Sequence, residues 1–206
     1  MDPYGALVLA GGQARRLGGV HKPGLLIAGV SLLDRVLAAV ADAAPRLVVG
    51  PPQPAPADVL VVRENPPGGG PVAALAAGLN ALVDVSQQPI TWLALLAGDL
   101  PFLTPAVVSS LRAAAASTDG AVLVDGSGRD QYLAGVYRLS SLAGAVSEQG
   151  TPGGAPLRRV IGRLSLARVT AAPGGAPPWL DCDDADDVRI AETLARETSE
   201  SKEADG

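Results

Sequence analysis

The chain has 206 residues, enough for one substantial domain, and 48% of them are hydrophobic, mostly Ala, Val and Leu with a single Phe. A formal net charge of −5 with no basic stripe argues against nucleic acid, whose phosphates demand clustered Lys and Arg. One cysteine, Cys182, excludes an internal disulfide. No apolar run approaches the roughly 18 residues of a membrane helix, and no basic segment precedes a long apolar stretch, so the expectation is a cytoplasmic protein without a signal peptide.

Residues 6–10 (ALVLA) read as a buried strand that opens into a glycine-rich loop. Ser31 caps a helix running to about residue 43. Residues 46–50 and 59–62 are the next two strands, joined by a Pro-rich connection. Pro71 opens a helix through residue 83, in the first turn, where its missing N–H is harmless. Residues 91–97 (TWLALLA) form a fourth strand, and Thr104-Pro105 supply an N-cap and first-turn proline for another helix. Residues 121–125 are a fifth strand, and 130–138 a strand of different orientation near the site. The domain spans 1–195, and the polar residues 196–206 read as a frayed tail.

Strands alternating with helices predict an α/β fold whose mostly parallel sheet is covered on both faces. Ligands of such sheets bind beyond the carboxyl ends of the strands, which selects the loops after Ala10, Val62 and Ala97.

The first of these loops is the most informative. Residues 9–22 read LAGGQARRLGGVHK: two glycines turn the backbone back, and Arg15, Arg16 and Lys22 follow. Exposed N–H groups in such a turn surround phosphate oxygens, because glycine permits close approach. The loop lacks the Gly-Lys-Ser/Thr of a Walker motif and the Gly-x-Gly-x-x-Gly of dinucleotide domains. Four glycines and three cations directly after the first strand favour polyphosphate binding over a plain solvated turn.

Asp99 follows the fourth predicted strand after one glycine, and Leu100-Pro101-Phe102 fixes the turn. A carboxylate there points beyond the sheet edge. Mg²⁺ takes one or two carboxylates plus substrate phosphates, so Asp99 beside a triphosphate loop is the metal candidate; the alternative is a turn aspartate bonding its own backbone. Asp181 and Asp183 share a face in extended chain and can address one site. Equally, aspartates ahead of a helix cap it, the role read for Asp184, Asp186 and Asp187.

Leu9-Ala10-Gly11-Gly12-x-x-x-Arg16-Leu17-Gly18 with Lys22 resembles the signature of the molybdenum cofactor guanylyltransferases and related small nucleotidyltransferases. Val62-Arg63-Glu64, Gly70-Pro71 with Ala73 and Gly78, Asp99-Leu100-Pro101-Phe102-Leu103, and Asp181-Cys182-Asp183 follow in the family's order. The chain departs from the family at His21, where Asp is common, and at Asp181-x-Asp183, where the guanylyltransferases often carry Asn-x-Asn and cousins acting on other acceptors Asp-x-Asp.

The resemblance implies a three-layer Rossmann-like nucleotidyltransferase fold that transfers GMP from Mg-GTP to the phosphate of molybdopterin, releasing pyrophosphate. It places Leu9, Ala10, Gly11, Gly12, Lys22, Glu64 and Asp99 at the nucleotide, with the Glu64 carboxylate near guanine or ribose. Asp130, Gln131, Asp181 and Asp183 fall to the acceptor, and Arg16, Lys22 and Asp99 to catalysis with Mg²⁺ on Asp99. The expected partners are GTP or another NTP and a small phosphorylated acceptor, on a monomer. Two other readings share these residues: a cytidylyl- or other nucleotidyltransferase with a different phosphorylated acceptor, and a non-catalytic nucleotide-binding paralogue.

Overall fold

In the computed structural model, residues 2–11, 22–86, 88–150, 155–172 and 174–204 are described. The strands are β1 (Tyr4–Leu9), β2 (Leu26–Ile27), β3 (Val30–Ser31), β4 (Arg46–Val49), β5 (Val59–Val62), β6 (Trp92–Ala97), β7 (Gly120–Val124), β8 (Asp130–Arg138) and β9 (Leu166–Thr170). The α-helices are α1 (Leu32–Ala39), α2 (Pro71–Val85), α3 (Pro105–Ala114), α4 (Leu139–Glu148), α5 (Leu157–Ile161) and α6 (Ala185–Ala204). Seven strands form one sheet in the order β5-β4-β1-β6-β8-β7-β9, while β2 and β3 make a separate hairpin. Only β8 runs against its neighbours; β1, β4, β5 and β6 pair in parallel, as do β7 and β9. The mostly parallel sheet and the reversed strand at 130–138 match the sequence expectation.

Period-2 alternation sorts side chains to the two faces. Ala6 and Val8 of β1, with Ala94 and Leu96 of β6, pack under α1 and α3 against Leu33, Val36, Val108 and Leu111. Leu7 and Leu9, with Leu93 and Leu95, pack on the opposite face against Val72, Leu75 and Leu79 of α2 and Leu142 of α4. Helices on both faces complete the three-layer, Rossmann-like arrangement. A third, small core of Ile27, Leu32, Cys182, Ala191 and Ala195 fastens α6 to the β2–β3 hairpin.

Ser31 caps α1 as expected, its hydroxyl accepting from the Asp34 N–H at 3.0 Å. The helix ends at Ala39, earlier than its apolar pattern suggests. Ala43 N turns back onto Val40 O at 3.0 Å, so that Pro45 O reaches the N–H of Ala6 at 2.9 Å on β1. Helical backbone extends through α6 to Ala204, into the polar stretch that composition marks as frayed. Glu, Arg and Lys are good helix formers, and polarity alone does not distinguish a solvated helix from a tail. No described helix is long and apolar enough to cross a membrane.

The chain passes from β1 outward to β4 and β5, then returns through α2 to β6 on the other side of β1. That reversal is a topological switch point, where the loops after adjacent strands part and leave a crevice. The close approach of α2 to β1 depends on Gly78, where an added Cβ would lie 2.4 Å from Cδ1 of the fully buried Leu7. Gly78→Val is expected to overpack this contact by about 1–3 kcal/mol and lower Tm by about 3–10 °C in thermal unfolding. An unchanged Tm would contradict this account of the α2–β1 packing.

Candidate active site

The carboxyl ends of β1, β4, β5 and β6 border a cavity of about 740 Å³. Leu9, Ala10 and Gly11 form its floor. The exit of β1 is tied on both sides: Ala10 N donates to Val49 O at 2.8 Å, and Gly98 N donates to Leu9 O at 3.0 Å. Gly50 and Gly98 permit this approach. A Cβ on Gly50 would sit 2.8 Å from the carbonyl oxygen of Ala10, and one on Gly98 3.2 Å from the Ala10 Cα. The N-terminus of α2 opens onto the cavity at Gly70-Pro71, where Gly70 adopts φ 86°. The unpaired N–H groups and positive dipole end of a helix favour an anion there.

Lys22, Asp99 and Asp183 also line this cavity. The Lys22 ammonium is shared by two carboxylates, pairing with Oδ2 of Asp99 and Oδ1 of Asp183. Burial alone lowers the Lys22 pKa, but the charges and hydrogen bonds of Asp99 and Asp183 outweigh it, and the net shift is upward. Lys22 therefore stays cationic. Burial raises the Asp181 pKa, reinforced by the negative charges of Asp183 and Asp99 and partly offset by Lys22, so this carboxyl belongs to the same electrostatic cluster. Between the two aspartates, burial pushes the Cys182 thiol up to about 12, and it packs as an apolar anchor.

Asp183 owes its position to the cap of α6. Oδ2 of Asp187 accepts from the N–H groups of Asp183 at 2.9 Å and Asp184 at 3.0 Å. Asp184 reciprocates, its Oδ1 accepting from Asp186 N at 2.9 Å and Asp187 N at 3.1 Å. Asp184 and Asp187 thus cap the helix as the sequence suggests, and Asp183 is left free to face the crevice.

Asp99 bears on the expected Mg²⁺. Its Oδ2 is engaged by Lys22, but its Oδ1 is buried without a hydrogen-bond partner. A buried carboxylate oxygen left unpaired is costly, and a hard cation at the cavity wall would satisfy it. Among the described residues no three His, Cys, Asp or Glu side chains gather as a self-contained metal cage. One protein carboxylate completed by substrate phosphates and water is the usual arrangement for Mg²⁺, so the residues present fit that ion.

Glu64 lines the cavity beyond β5, and its Oε1 accepts from Gly68 N at 2.9 Å, shaping the loop that leads to α2. Asp130 and Gln131 are not brought to the cavity. The Asp130 carboxylate accepts from Arg168 Nε at 2.7 Å on β9, and Gln131 Nε2 donates to Asp125 at 2.8 Å across the β7–β8 turn. Leu133, two positions further along β8, lines the cavity instead. Gly12, Arg16 and the neighbouring Arg15 and His21 lie outside the described residues. Gly50, Gly98 and Arg63 carry no role in the sequence pattern. A glycine closing each of two strands was the available signal for the first two, and adjacency to Glu64 for Arg63.

The native chain holds the Lys22 proton more tightly than the unfolded chain. The resulting stability is complete below the ordinary lysine value of 10.5 and falls as pH rises through the native value. Lys22→Met is expected to lower Tm at neutral pH by about 2–4 °C, after discounting for solvent screening. The gap from the wild type should narrow in strongly alkaline buffer. A gap that widens there in chemical denaturation would contradict the assignment.

Comparison with known proteins identifies the family and the fold. The chain is 33% identical over 203 residues to a molybdenum cofactor guanylyltransferase of Bradyrhizobium sp., covering 92% of each chain. It is 35% identical over 141 residues to a probable molybdenum cofactor guanylyltransferase of Mycobacterium tuberculosis, covering 66% of this chain and 68% of that one. The crystal structure of 2-C-methyl-D-erythritol 4-phosphate cytidylyltransferase from Thermus thermophilus shares the fold, with a TM-score of 0.68, 20% identity, and coverage of 95% of this chain and 100% of the other. Residues 6–169 match the model of the MobA-like NTP transferase domain, and the chain belongs to that nucleotidyltransferase family.

Proposed function

We propose that this nucleotidyltransferase moves GMP from Mg-GTP to the phosphate of molybdopterin, releasing pyrophosphate. The observation that carries the reading is the Asp99 carboxylate, one oxygen on Lys22 and the other buried and unpaired at the switch-point crevice. The guanine and molybdopterin assignments draw support from the names of the relatives at 33% and 35% identity. The cytidylyltransferase, at 20% identity, supports the fold alone.

In this reading the phosphates lie over the Leu9–Gly11 backbone, and Gly12 and Arg16, outside the described residues, keep the nucleotide and catalytic roles that the resemblance implies. An oxygen of the acceptor phosphate attacks the α-phosphorus while the bond to the bridging oxygen breaks and pyrophosphate departs. A phosphate monoester, with its second pKa near ~6, is largely dianionic at neutral pH, so no side chain need remove a proton. That fits a site whose described polar members are a lysine, an arginine, carboxylates and backbone amides. Lys22 exchanges a carboxylate for phosphate oxygens and opposes the charge that develops on them. Asp99 would hold Mg²⁺, which would supply further neutralisation of the polyphosphate when bound. Asp181 and Asp183 lie on the acceptor side of the nucleotide. Asp130 acts there only if its pair with Arg168 opens, and Gln131 only if it releases Asp125.

Asp99→Asn is expected to reduce pyrophosphate release by at least about 10³-fold while leaving the far-ultraviolet spectrum unchanged. Chelation of divalent cation should abolish wild-type turnover, and added Mg²⁺ should restore it. The assay compares GTP, CTP, ATP and UTP with molybdopterin and other phosphorylated acceptors. Near-normal turnover by Asp99→Asn would remove the metal assignment, and a preference for CTP would replace the guanine reading with cytidylyl transfer.

A further inference from the structure

We propose that Arg63 selects the base, its guanidinium donating to O6 and N7 of guanine at the β5 end of the cavity. This rests on the guanine-nucleotide reading above. Arg63 directly follows β5 and lines the cavity beside Glu64. It is exposed, and among the described residues it makes no hydrogen bond or ion pair. The other described cation of the cavity, Lys22, is held by Asp99 and Asp183. Elsewhere Arg46 is paired with Asp58 and Arg168 with Asp130. Arg63 is therefore a cation of the cavity whose donors remain open.

Its place in the sheet assigns those donors to the base rather than to the phosphates. In the order β5-β4-β1-β6, three strand spacings, about 14 Å, separate the end of β5 from the end of β6. Phosphates gathered at Lys22 and Asp99 leave the base over β4 and β5, bordered by Pro51, Arg63, Glu64 and Gly68. Guanine presents acceptors O6 and N7 on one edge and the N1–H and N2 amino donors beside them. A guanidinium fork next to a carboxylate complements that pattern. Adenine places an amino donor where guanine has O6, and the two donors then oppose each other.

The test measures displacement of a fluorescent GTP analogue, in Mg²⁺, by GTP, ATP and 7-deaza-GTP, for the wild type, Arg63→Ala and Arg63→Lys. The wild type should bind GTP more tightly than ATP and 7-deaza-GTP. Arg63→Ala should lose about 5- to 150-fold in GTP affinity, change little toward ATP, and cease to distinguish GTP from 7-deaza-GTP. Arg63→Lys keeps the charge but not the fork and should lose the same discrimination. Variants retaining the wild-type ratios would overturn the Arg63 assignment and leave the guanine reading standing. An equal loss for all three nucleotides would make Arg63 a phosphate contact and also overturn it. A wild type with no preference for GTP would overturn the guanine reading and this assignment together.

Discussion

A single half-buried ammonium organises the crevice. Lys22 comes from the loop after β1, Asp99 from the turn after β6, and Asp183 from the approach to α6, and one cation joins all three. Coulomb energy at such separations is small in water and several-fold larger where solvent is partly excluded. Here desolvation lowers the Lys22 pKa, while the charges and hydrogen bonds of Asp99 and Asp183 together carry it upward. The same arrangement leaves a second Asp99 oxygen without a partner. The crevice thus has its positive charge in place, with one acceptor oxygen of Asp99 still without a partner.

That electrostatic arrangement depends on a backbone constraint beneath it. Ala10 leaves β1 between Gly50 and Gly98, and side chains at either glycine would press against its main chain. Hydrogen bonds from Ala10 N to Val49 O and from Gly98 N to Leu9 O fix the exit direction. On the far side, the buried Cys182 packs with Ile27 and Leu32 and fastens the segment that carries Asp181 and Asp183. The aspartates before α6 then divide their work. Asp184 and Asp187 satisfy helix N–H groups, and Asp183 reaches Lys22.

The sequence made legible what local pattern encodes. Continuous apolar runs gave β1, β4, β5 and β6, because a parallel strand covered on both faces needs no alternation. Asp99 was legible because a carboxylate two positions beyond such a run lies at the carboxyl end of the sheet. The weaker elements were not. The β2–β3 hairpin is two residues per strand, and β9 is an edge strand without a buried residue. Asp130 and Gln131 looked available for an acceptor, yet Asp130 is bound by Arg168, 38 positions away, and Gln131 by Asp125. Likewise the Lys22–Asp183 contact spans 161 positions, a pairing no local pattern announces. Partner choice between distant charges is settled by topology, and single-sequence reasoning sees the charges without the topology.

Family membership fixes nucleotidyl transfer as the class of chemistry, and in the proposed reaction the dianionic acceptor phosphate leaves no proton for the described side chains to remove. The proposed reaction rests on the claim that Lys22 and the Asp99 carboxylate, joined in one ion pair, hold a polyphosphate and its cation together. Titration calorimetry of the wild-type chain with GTP, with and without Mg²⁺, addresses that claim most directly. The account predicts saturable one-to-one binding that tightens with Mg²⁺ in the wild type but not in Asp99→Asn. Absence of binding by any ribonucleotide in abundant Mg²⁺, or Mg²⁺ enhancement that survives loss of the Asp99 carboxylate, would contradict it.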